Sequence, residues 1–274
     1  MNIFLTGAAG FIGSRVTAAL MKRGDSVVGF DDFNDFYDPA IKRRNAAEVK
    51  ALGARIIEGD LRDYDAVDRA MPDTCDVVIN LAARAGVRPS LEQPVLYVDT
   101  NVRGLTQVLE AMRVRGLKKI VHASSSSVYG GQEKVPFSET DPINRPWSPY
   151  AATKRANELF LQTYHHLYGI ESHALRFFTV YGPGQRPDLA IMKFIQMIHA
   201  GQELPFYGDD ELVGAFAGPG STEVAGPSAS FAFRFDNSVS SRATAVPEPG
   251  SLLLLGAALL GAAHTLRRRP SSPA

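Results

Sequence analysis

Between residue 2 and about residue 200, short β-type runs alternate regularly with amphipathic segments, and this rhythm restricts the folds open to the chain. The runs are rich in branched residues, and each predicts a buried strand: NIFLTG, SVVGFD, RIIEGD, DVVINLA, KKIVHASS and SHALRFFTV. The first intervening segment places Ile12, Val16 and Leu20 on one helix face and ends at Gly24. We therefore predict an α/β fold, a Rossmann-type doubly wound parallel sheet with helices on both faces. Right-handed crossovers would bring the carboxyl ends of all strands to one edge, where such folds bind ligands.

Charge and cysteine content narrow the function classes. Lys+Arg and Asp+Glu each number 29, so the whole-chain charge favours neither nucleic acid nor an anionic surface as a partner. The single cysteine, Cys75, cannot form an internal disulfide, which fits a reducing compartment. The sequence shows no cluster of metal ligands, and its N-terminus lacks the basic region of a signal peptide. These features predict a cytoplasmic location for the first part of the chain.

The first predicted strand runs into a glycine-rich turn, Gly7-Ala8-Ala9-Gly10-Phe11-Ile12-Gly13. A dinucleotide pyrophosphate needs backbone N–H groups at a helix N-terminus with no side chains in the way. Gly7 permits the tight turn, Gly10 lets the backbone approach the phosphates, and Gly13 lets the helix pack on the strand. Such a pattern also occurs in turns that bind nothing, so the strand before it and the helix after it carry the prediction.

An acidic residue stands where the second strand ends. Asp31 lies 18 residues beyond Gly13, and a carboxylate there accepts hydrogen bonds from the adenosine ribose and repels a 2′-phosphate. This predicts NAD rather than NADP as the cofactor. The alternative is that Asp31 only caps a loop that also contains Asp32, Asp35 and Asp38.

The segment Tyr150-Ala151-Ala152-Thr153-Lys154 predicts the chemical centre. Positions four apart share a helix face, so the phenol and the ammonium would point into one site. A neighbouring cation favours the phenolate and lowers a pKa that is ordinarily near 10, which suits Tyr150 to general-base catalysis. Pro149 fits a first helical turn and Ser148 its cap. Serine hydroxyls at the end of KKIVHASS could hydrogen-bond a sugar hydroxyl and shuttle its proton to the tyrosine.

Seven strings together resemble the extended short-chain dehydrogenase/reductase family: GAAGFIG, EGDLRD, LAARAGVRPSLEQP, YVDTNVRG, ASSSSVYGG, SPYAATKRANE and LRFFTVYGPGQRPD. Within that family the chain is most similar to the UDP-glucuronate 4-epimerases of bacterial polysaccharide synthesis. The resemblance covers roughly residues 1–209. It implies an isomerase that uses bound NAD to epimerise a nucleotide sugar at carbon 4, UDP-glucuronate to UDP-galacturonate, through a transient 4-keto intermediate.

The resemblance also assigns residues by position. It implies catalytic roles for Ser125, Tyr150 and Lys154, an adenine contact for Asp60 and Leu61, and a buttressing role for Asn101. The cofactor groove would be formed by Gly7, Gly10, Phe11, Ile12, Gly13, Asp31, Asp60, Leu61, Leu81, Ala82, Ala83, Asn101, Tyr150, Lys154 and Phe178. The substrate would contact Arg88, Ser126, Thr179 and Arg186, with Arg84 as a further cation within reach.

Two observations favour epimerisation of a uronic acid. Related dehydratases and decarboxylases carry Asp or Glu beside the catalytic hydroxyl, where this chain has Ser126 and Ser127. Arg186 matches an arginine that faces the sugar carboxylate in the glucuronate enzymes, and guanidinium pairs bidentately with carboxylate. The alternative is that Arg186 is a surface residue.

The chain departs from this family after residue 209, where family members continue with the rest of a substrate domain. We predict an epimerase core over residues 1–209, an unrelated Gly/Ser/Ala-rich segment over 210–245 and a tail over 246–274. The tail contains VPEPG, an apolar run over residues 251–266 and three arginines, and it resembles the PEP-CTERM sorting signal. It predicts a C-terminal hydrophobic helix and membrane contact, the alternative being a helix packed in a core. The apolar run has sixteen residues, fewer than the roughly 17 to 25 that a membrane-spanning helix needs.

Three interpretations remain open at this point. The chain is a working UDP-glucuronate 4-epimerase, an NAD-binding pseudoenzyme or fusion remnant, or a membrane-tethered sorting cargo. The first alone requires a complete nucleotide-sugar site. Family resemblance further suggests a homodimer formed through a pair of helices.

Overall fold

Six parallel strands form one sheet in the computed structural model, which describes residues 1–134 and 136–202. The strands are β1 (Asn2–Thr6), β2 (Ser26–Asp31), β3 (Arg55–Glu58), β4 (Val77–Asn80), β5 (Lys119–Ser125) and β6 (Glu171–Phe177). Their order is β3-β2-β1-β4-β5-β6, and every neighbouring pair is parallel. This is the Rossmann order, with its switch point between β1 and β4. The predicted strands and the predicted Rossmann-type sheet are confirmed.

Helical segments connect the strands and cover the sheet. In chain order they are α1 (Phe11–Lys22), α2 (Pro39–Ala51), α3 (Tyr64–Ala70), α4 (Val87–Glu92), α5 (Pro94–Tyr97), a π-helical turn (Val98–Arg103), α6 (Gly104–Val114), a 3₁₀ turn (Ser126–Tyr129), α7 (Pro149–Tyr168) and α8 (Ala190–His199). Alternate strand residues enter two separate apolar clusters. Phe4 packs with residues of α3, α6 and α7, whereas Ile3 and Leu5 pack with residues of α1 and α2. Helices therefore lie on both faces, as predicted.

The helix boundaries that matter for the site follow from local sequence. Gly24 follows the end of α1 with φ +89°, a conformation that favours glycine. Ser148 caps α7 by accepting a hydrogen bond from the Ala151 amide at 3.1 Å, and Pro149 occupies the first turn. Both predicted boundaries are confirmed, so the start of α7, and with it Tyr150, is fixed by the sequence itself.

The prediction that all six strands are buried is wrong for the two edge strands. No residue of β6 is buried, and Ala174 is exposed. β3 at the other edge is likewise only half-buried, with Arg55 and Glu58 exposed. An edge strand has a hydrogen-bonded neighbour on one side only, and the branched residues that made these runs look buried carry no information on strand order.

The described residues divide into two compact units at Gly184. The first, Met1–Gly184, contains the sheet and helices α1 to α7; the second begins at Gln185 and contains α8. The boundaries predicted at 209/210 and 245/246, and the predicted hydrophobic helix over 251–266, lie outside the described residues and stay predictions. Within residues 1–134 and 136–202, no helix is long and apolar enough to cross a membrane.

Candidate cofactor cleft and catalytic centre

The glycine-rich turn packs so closely on its neighbours that two of its residues have no space for a side chain. Gly7 adopts φ +74°, and a Cβ there would lie 2.8 Å from the Ala82 amide nitrogen. A Cβ on Gly13 would overlap the carbonyl oxygen of Gly7, so α1 packs directly on the turn. Gly10 begins α1 without a side-chain cap, and the first turn of α1 contains no acidic residue. The first-turn amides of Phe11 and Ile12 are therefore suited to an anion.

Asp31 ties this turn to the end of β2. Its Oδ2 accepts a hydrogen bond from the Ala9 amide at 3.0 Å and its Oδ1 one from the Phe33 amide at 2.9 Å. The side chain is 6 % exposed, and burial raises the pKa of the carboxyl above its usual range. The bond to Phe33 is the loop cap foreseen as the alternative. Each carboxylate oxygen keeps a second lone pair, so the ribose contact stays a prediction alongside this structural role.

Asp60 and Leu61 follow β3 and differ in their surroundings. Asp60 pairs with Arg62 at 2.6 Å, and this hydrogen bond holds the pKa of the Asp60 carboxyl below its usual range. Arg62 also reaches Asp99 at 3.1 Å. The Leu61 side chain packs in the core against Gly104. Since that side chain is 5 % exposed, the predicted adenine contact would have to be made by the backbone atoms of Leu61.

The loop after β4 lies directly against the glycine-rich turn. Leu81, Ala82 and Ala83 are partly exposed there. The Ala82 amide donates to Thr6 Oγ1 at 3.2 Å, at the carboxyl end of β1. These residues lie at the switch point of the sheet, where the cofactor groove was predicted.

Asn101 lies in the π-helical turn and joins two parts of the site. Its Oδ1 accepts from the Arg84 amide at 2.7 Å, and its Nδ2 donates to the Arg84 carbonyl at 3.0 Å and to Thr153 Oγ1 at 3.1 Å. The side chain is 2 % exposed. It thus binds the loop after β4 to helix α7 between Tyr150 and Lys154, which is a geometry suited to the predicted buttress.

Tyr150 and Lys154 meet on the inward face of α7. Lys154 Nζ lies 5.8 Å from the centroid of the Tyr150 ring and donates to the Ala123 carbonyl at 2.7 Å. The lysine is 2 % exposed, and burial lowers its pKa to about 8. Tyr97 meets the Tyr150 ring edge-on, with centroids 6.2 Å apart, and its own hydroxyl donates to the Ala85 carbonyl at 2.7 Å. The tyrosine is therefore held between an aromatic edge and a buried cation.

Ser125 ends β5, and its hydroxyl oxygen accepts two hydrogen bonds from Ser127. Ser125 Oγ accepts from the Ser127 amide at 3.2 Å and from Ser127 Oγ at 2.9 Å. A hydroxyl oxygen has two lone pairs, so with both engaged the Ser125 hydroxyl acts as a donor. Ser126, between them, is partly exposed.

Three charged or titratable side chains near the site escaped the sequence analysis. Glu158 accepts from Ser124 Oγ at 2.6 Å and pairs with Arg176 at 3.0 Å. His122 is wholly buried beside Asn80 Nδ2 at 3.0 Å, and burial lowers its pKa well below the usual value. One local signal did exist: Glu158 follows Lys154 by four residues on the buried face of α7, where an acid needs a partner.

Four further residues were predicted to border the sugar, namely Phe178, Thr179, Arg88 and Arg186. Phe178 is 60 % exposed and stacks on Phe137 with centroids 6.0 Å apart, and Thr179 after it is exposed. Arg88 lies exposed on α4. Arg186 belongs to the second unit, where it pairs with Asp188 at 2.7 Å. Their roles toward a substrate stay predictions.

The parallel sheet, the glycine-rich turn at its switch point and the Tyr150–Lys154 pair define a Rossmann-type domain of the short-chain dehydrogenase/reductase class. Residues 3–213 match the NAD dependent epimerase/dehydratase family, and the chain belongs to that family. Residues 245–269 match the PEP-CTERM protein-sorting motif, in agreement with the sequence analysis.

Similar proteins include epimerases and a dehydratase. UDP-glucuronate 4-epimerase 1 of Arabidopsis thaliana is 47 % identical over 209 residues, which are 76 % of this chain and 49 % of that protein. UDP-glucuronic acid 4-epimerase of Bacillus cereus, solved with UDP-glucuronic acid and NAD, aligns with a TM-score of 0.70 at 37 % identity over 76 % of this chain and 66 % of its own. The dTDP-glucose 4,6-dehydratase of Streptomyces venezuelae, solved with NAD, gives 0.70 at 32 % identity over 76 % and 65 %. The chain thus spans about half of the plant protein and about two thirds of the solved chains.

Proposed function

We propose that this chain is an NAD-dependent nucleotide-sugar 4-epimerase that converts UDP-glucuronate to UDP-galacturonate. The observation that carries the proposal is the Tyr150–Lys154 pair on α7 together with the donor hydroxyl of Ser125 at the carboxyl end of β5 in a Rossmann-type sheet. The names of the plant and Bacillus relatives supply the substrate class. Family membership supports the reaction type, which is either epimerisation or dehydration.

The residues of the cleft fit NAD. The close packing at Gly7 and Gly13, which excludes side chains from the turn, and the uncapped start of α1 suit a pyrophosphate. Asp31 would accept from the adenosine ribose with its remaining lone pairs, and Lys154 would donate to the nicotinamide ribose. The chemistry that NAD would supply there is reversible hydride transfer at carbon 4 of the sugar.

The chain's own groups would handle the proton of the sugar 4-hydroxyl. Tyr150, as phenolate, removes that proton while the carbon becomes a ketone, and it returns the proton after the ring has turned over in the pocket. The Lys154 ammonium, 5.8 Å from the centroid of the Tyr150 ring, stabilises the phenolate by its charge. Ser125, bound to donate, hydrogen-bonds the oxygen at carbon 4 and keeps it close to Tyr150.

The residues beside Ser125 favour epimerisation over dehydration. Dehydration needs an acid to expel water from a neighbouring carbon. Ser126 and Ser127 offer hydroxyls only, and Ser127 is engaged with Ser125. Arg186 remains our candidate for the sugar carboxylate, with Ser126, Thr179 and Arg88 as further contacts.

A second function is favoured by the C-terminal region. The family match ends at residue 213, and the sorting-motif match occupies residues 245–269. In this alternative the core is an NAD-binding remnant, and the chain serves as a membrane-tethered sorting cargo through residues 251–266. A homodimer formed through a helix pair belongs to the first proposal, as does a cytoplasmic location of the core.

Product analysis tests the first proposal against the second. The purified full-length chain is incubated with UDP-glucuronate and NAD, and the sugar products are resolved by chromatography. We expect UDP-galacturonate from the wild type and none from Tyr150→Phe, which keeps the ring but loses the ionisable hydroxyl. A folded chain that binds NAD yet forms no product contradicts the epimerase proposal and favours the remnant.

A further inference from the structure

One ion pair, between the buried Glu158 and the partly buried Arg176, holds both ends of the segment that carries Ser125. This segment, residues 124–129, is called the serine turn below. At its start, Ser124 Oγ donates to Glu158 Oε1 at 2.6 Å. At its end, Tyr129 Oη accepts from Arg176 Nη1 at 3.0 Å. Glu158 and Arg176 bind each other through Nε to Oε1 and Nη2 to Oε2, both at 3.0 Å.

The pair is built as a fixed element of the fold. Glu158 is 5 % exposed, and the guanidinium of Arg176 approaches it in the bidentate geometry that gives such pairs their directionality. Arg176 also lies over the ring of Tyr129, 5.0 Å from its centroid, and Tyr129 stacks on Phe137 at 4.6 Å. The bonds therefore join α7, β5, the serine turn and β6.

Helix α7 gives this pair a direct connection to the catalytic centre. Tyr150, Lys154 and Glu158 are spaced four residues apart, so they follow one another along one face of α7. Lys154 holds the Ala123 carbonyl and Glu158 holds the next residue, Ser124. The same helix face thus carries Tyr150 and, through the bond to Ser124, fixes the position of Ser125.

We propose that Glu158 and Arg176 are positioning residues that set the distance between the Ser125 hydroxyl and the Tyr150 phenol. This inference rests on the proposed epimerase function for its catalytic consequence. Neither residue touches the reacting atoms; both act through the serine turn. The physical reason is that a buried carboxylate must keep its partners, so the pair stays fixed and the turn can shift only if its own bonds to the pair are lost.

The test compares three variants of the full chain with the wild type. Glu158→Gln keeps the side-chain volume and removes the charge that Arg176 requires. Ser124→Ala removes only the hydroxyl that ties the turn to Glu158, and it serves where the first variant folds poorly. Arg155→Gln is the matched control, because Arg155 reaches the same Glu158 carboxylate at 3.5 Å but is part-exposed and, unlike Arg176, is not bonded to the serine turn.

The first readout is amide hydrogen exchange, which needs neither cofactor nor substrate. In Glu158→Gln and Ser124→Ala we expect the amides of residues 126–130 to exchange at least about tenfold faster, with the rest of β5 and α7 unchanged. Arg155→Gln should exchange like the wild type. Unchanged exchange in both test variants, or faster exchange spread evenly over the whole sheet, overturns the proposal, since the pair would then be irrelevant to the turn or merely stabilising.

The second readout is steady-state kinetics with UDP-glucuronate. A displaced catalytic hydroxyl should lower kcat by about 10- to 100-fold and leave KM within about twofold. A rise in KM with kcat unchanged overturns the positioning role. A wild-type chain without activity refutes the proposed function, while the exchange experiment still decides whether the ion pair holds the serine turn.

Discussion

Replacement of Lys154 by methionine should be better tolerated by the cofactor-free chain at pH 7 than at pH 10, while abolishing the proposed chemistry. The lysine is 2 % exposed, and burial lowers its pKa from 10.5 to about 8. Its pKa is thus lower in the folded than in the unfolded chain, so between these values the unfolded chain binds more protons. The stability of the wild type therefore rises as the pH rises from 8 to 10.5, and below pH 8 the full penalty opposes folding.

The magnitude follows from the size of the shift. One pKa unit corresponds to about 1.4 kcal/mol, so protonation of the buried amine costs about 3 kcal/mol at pH 7 and about 1 kcal/mol at pH 10. Methionine fills similar space and carries no charge. It also loses the hydrogen bond to the Ala123 carbonyl, which costs about 1 to 3 kcal/mol at either pH. The free energy of unfolding of the variant, relative to that of the wild type, should therefore increase by roughly 2 to 3 kcal/mol when the pH is lowered from 10 to 7.

Urea unfolding followed by circular dichroism at the two pH values measures this difference. Lys50→Met is the matched control, because Lys50 lies exposed on α2, and its effect on the free energy of unfolding should be the same at both pH values. An equal shift of that free energy by Lys154→Met at pH 7 and pH 10 would refute the reasoning. It would mean that the lysine ammonium remains hydrated in the folded chain.

Three further outcomes follow from other residues. Gly13→Ala should destabilise the chain by about 1 to 3 kcal/mol and weaken NAD binding in calorimetry, because its Cβ would overlap the Gly7 carbonyl oxygen; unaltered binding would contradict the close packing of turn and helix. Asn101→Ala removes one buried and two part-buried hydrogen bonds and should cost about 2 to 4 kcal/mol in thermal unfolding, whereas a change below about 0.5 kcal/mol would rule out a buttress. Burial raises the pKa of Cys75 to about 11, so a thiol reagent at pH 8 should react only after denaturant is added, and prompt reaction of the native chain would argue against that burial.

The parts of the site that follow from local signals could be predicted from the sequence. The glycine-rich turn, the cap Ser148 and the pair Tyr150–Lys154 each lie within a few residues of the feature that specifies them. Asp31 shows the limit of such reasoning. Its position at the end of β2 was predicted, but its bonds to the Ala9 and Phe33 amides depend on how the turn folds back over the strand.

The missed residues are those whose partners are distant in the chain. Glu158 meets Ser124 across 34 positions and Arg176 across 18, and no spacing rule links such pairs. The exposure of β6 was missed for a related reason. Burial of a strand depends on its place in the sheet order, whereas its branched residues report only that it is a strand.

Because Val98–Arg103 forms a π-helical turn, the geometry of the site depends on the number of residues in this segment. Hydrogen bonds in such a turn reach five residues back instead of four, so the segment holds one residue more than a regular helix would accommodate. Loss of any one residue there would improve the helix and rotate its two halves by about 100° relative to each other. Asn101 would then turn away from Arg84 and Thr153. In evolution this stretch should accept substitutions more readily than deletions, because a one-residue gap would misplace the remaining side chains of the site even though none of them had changed chemically.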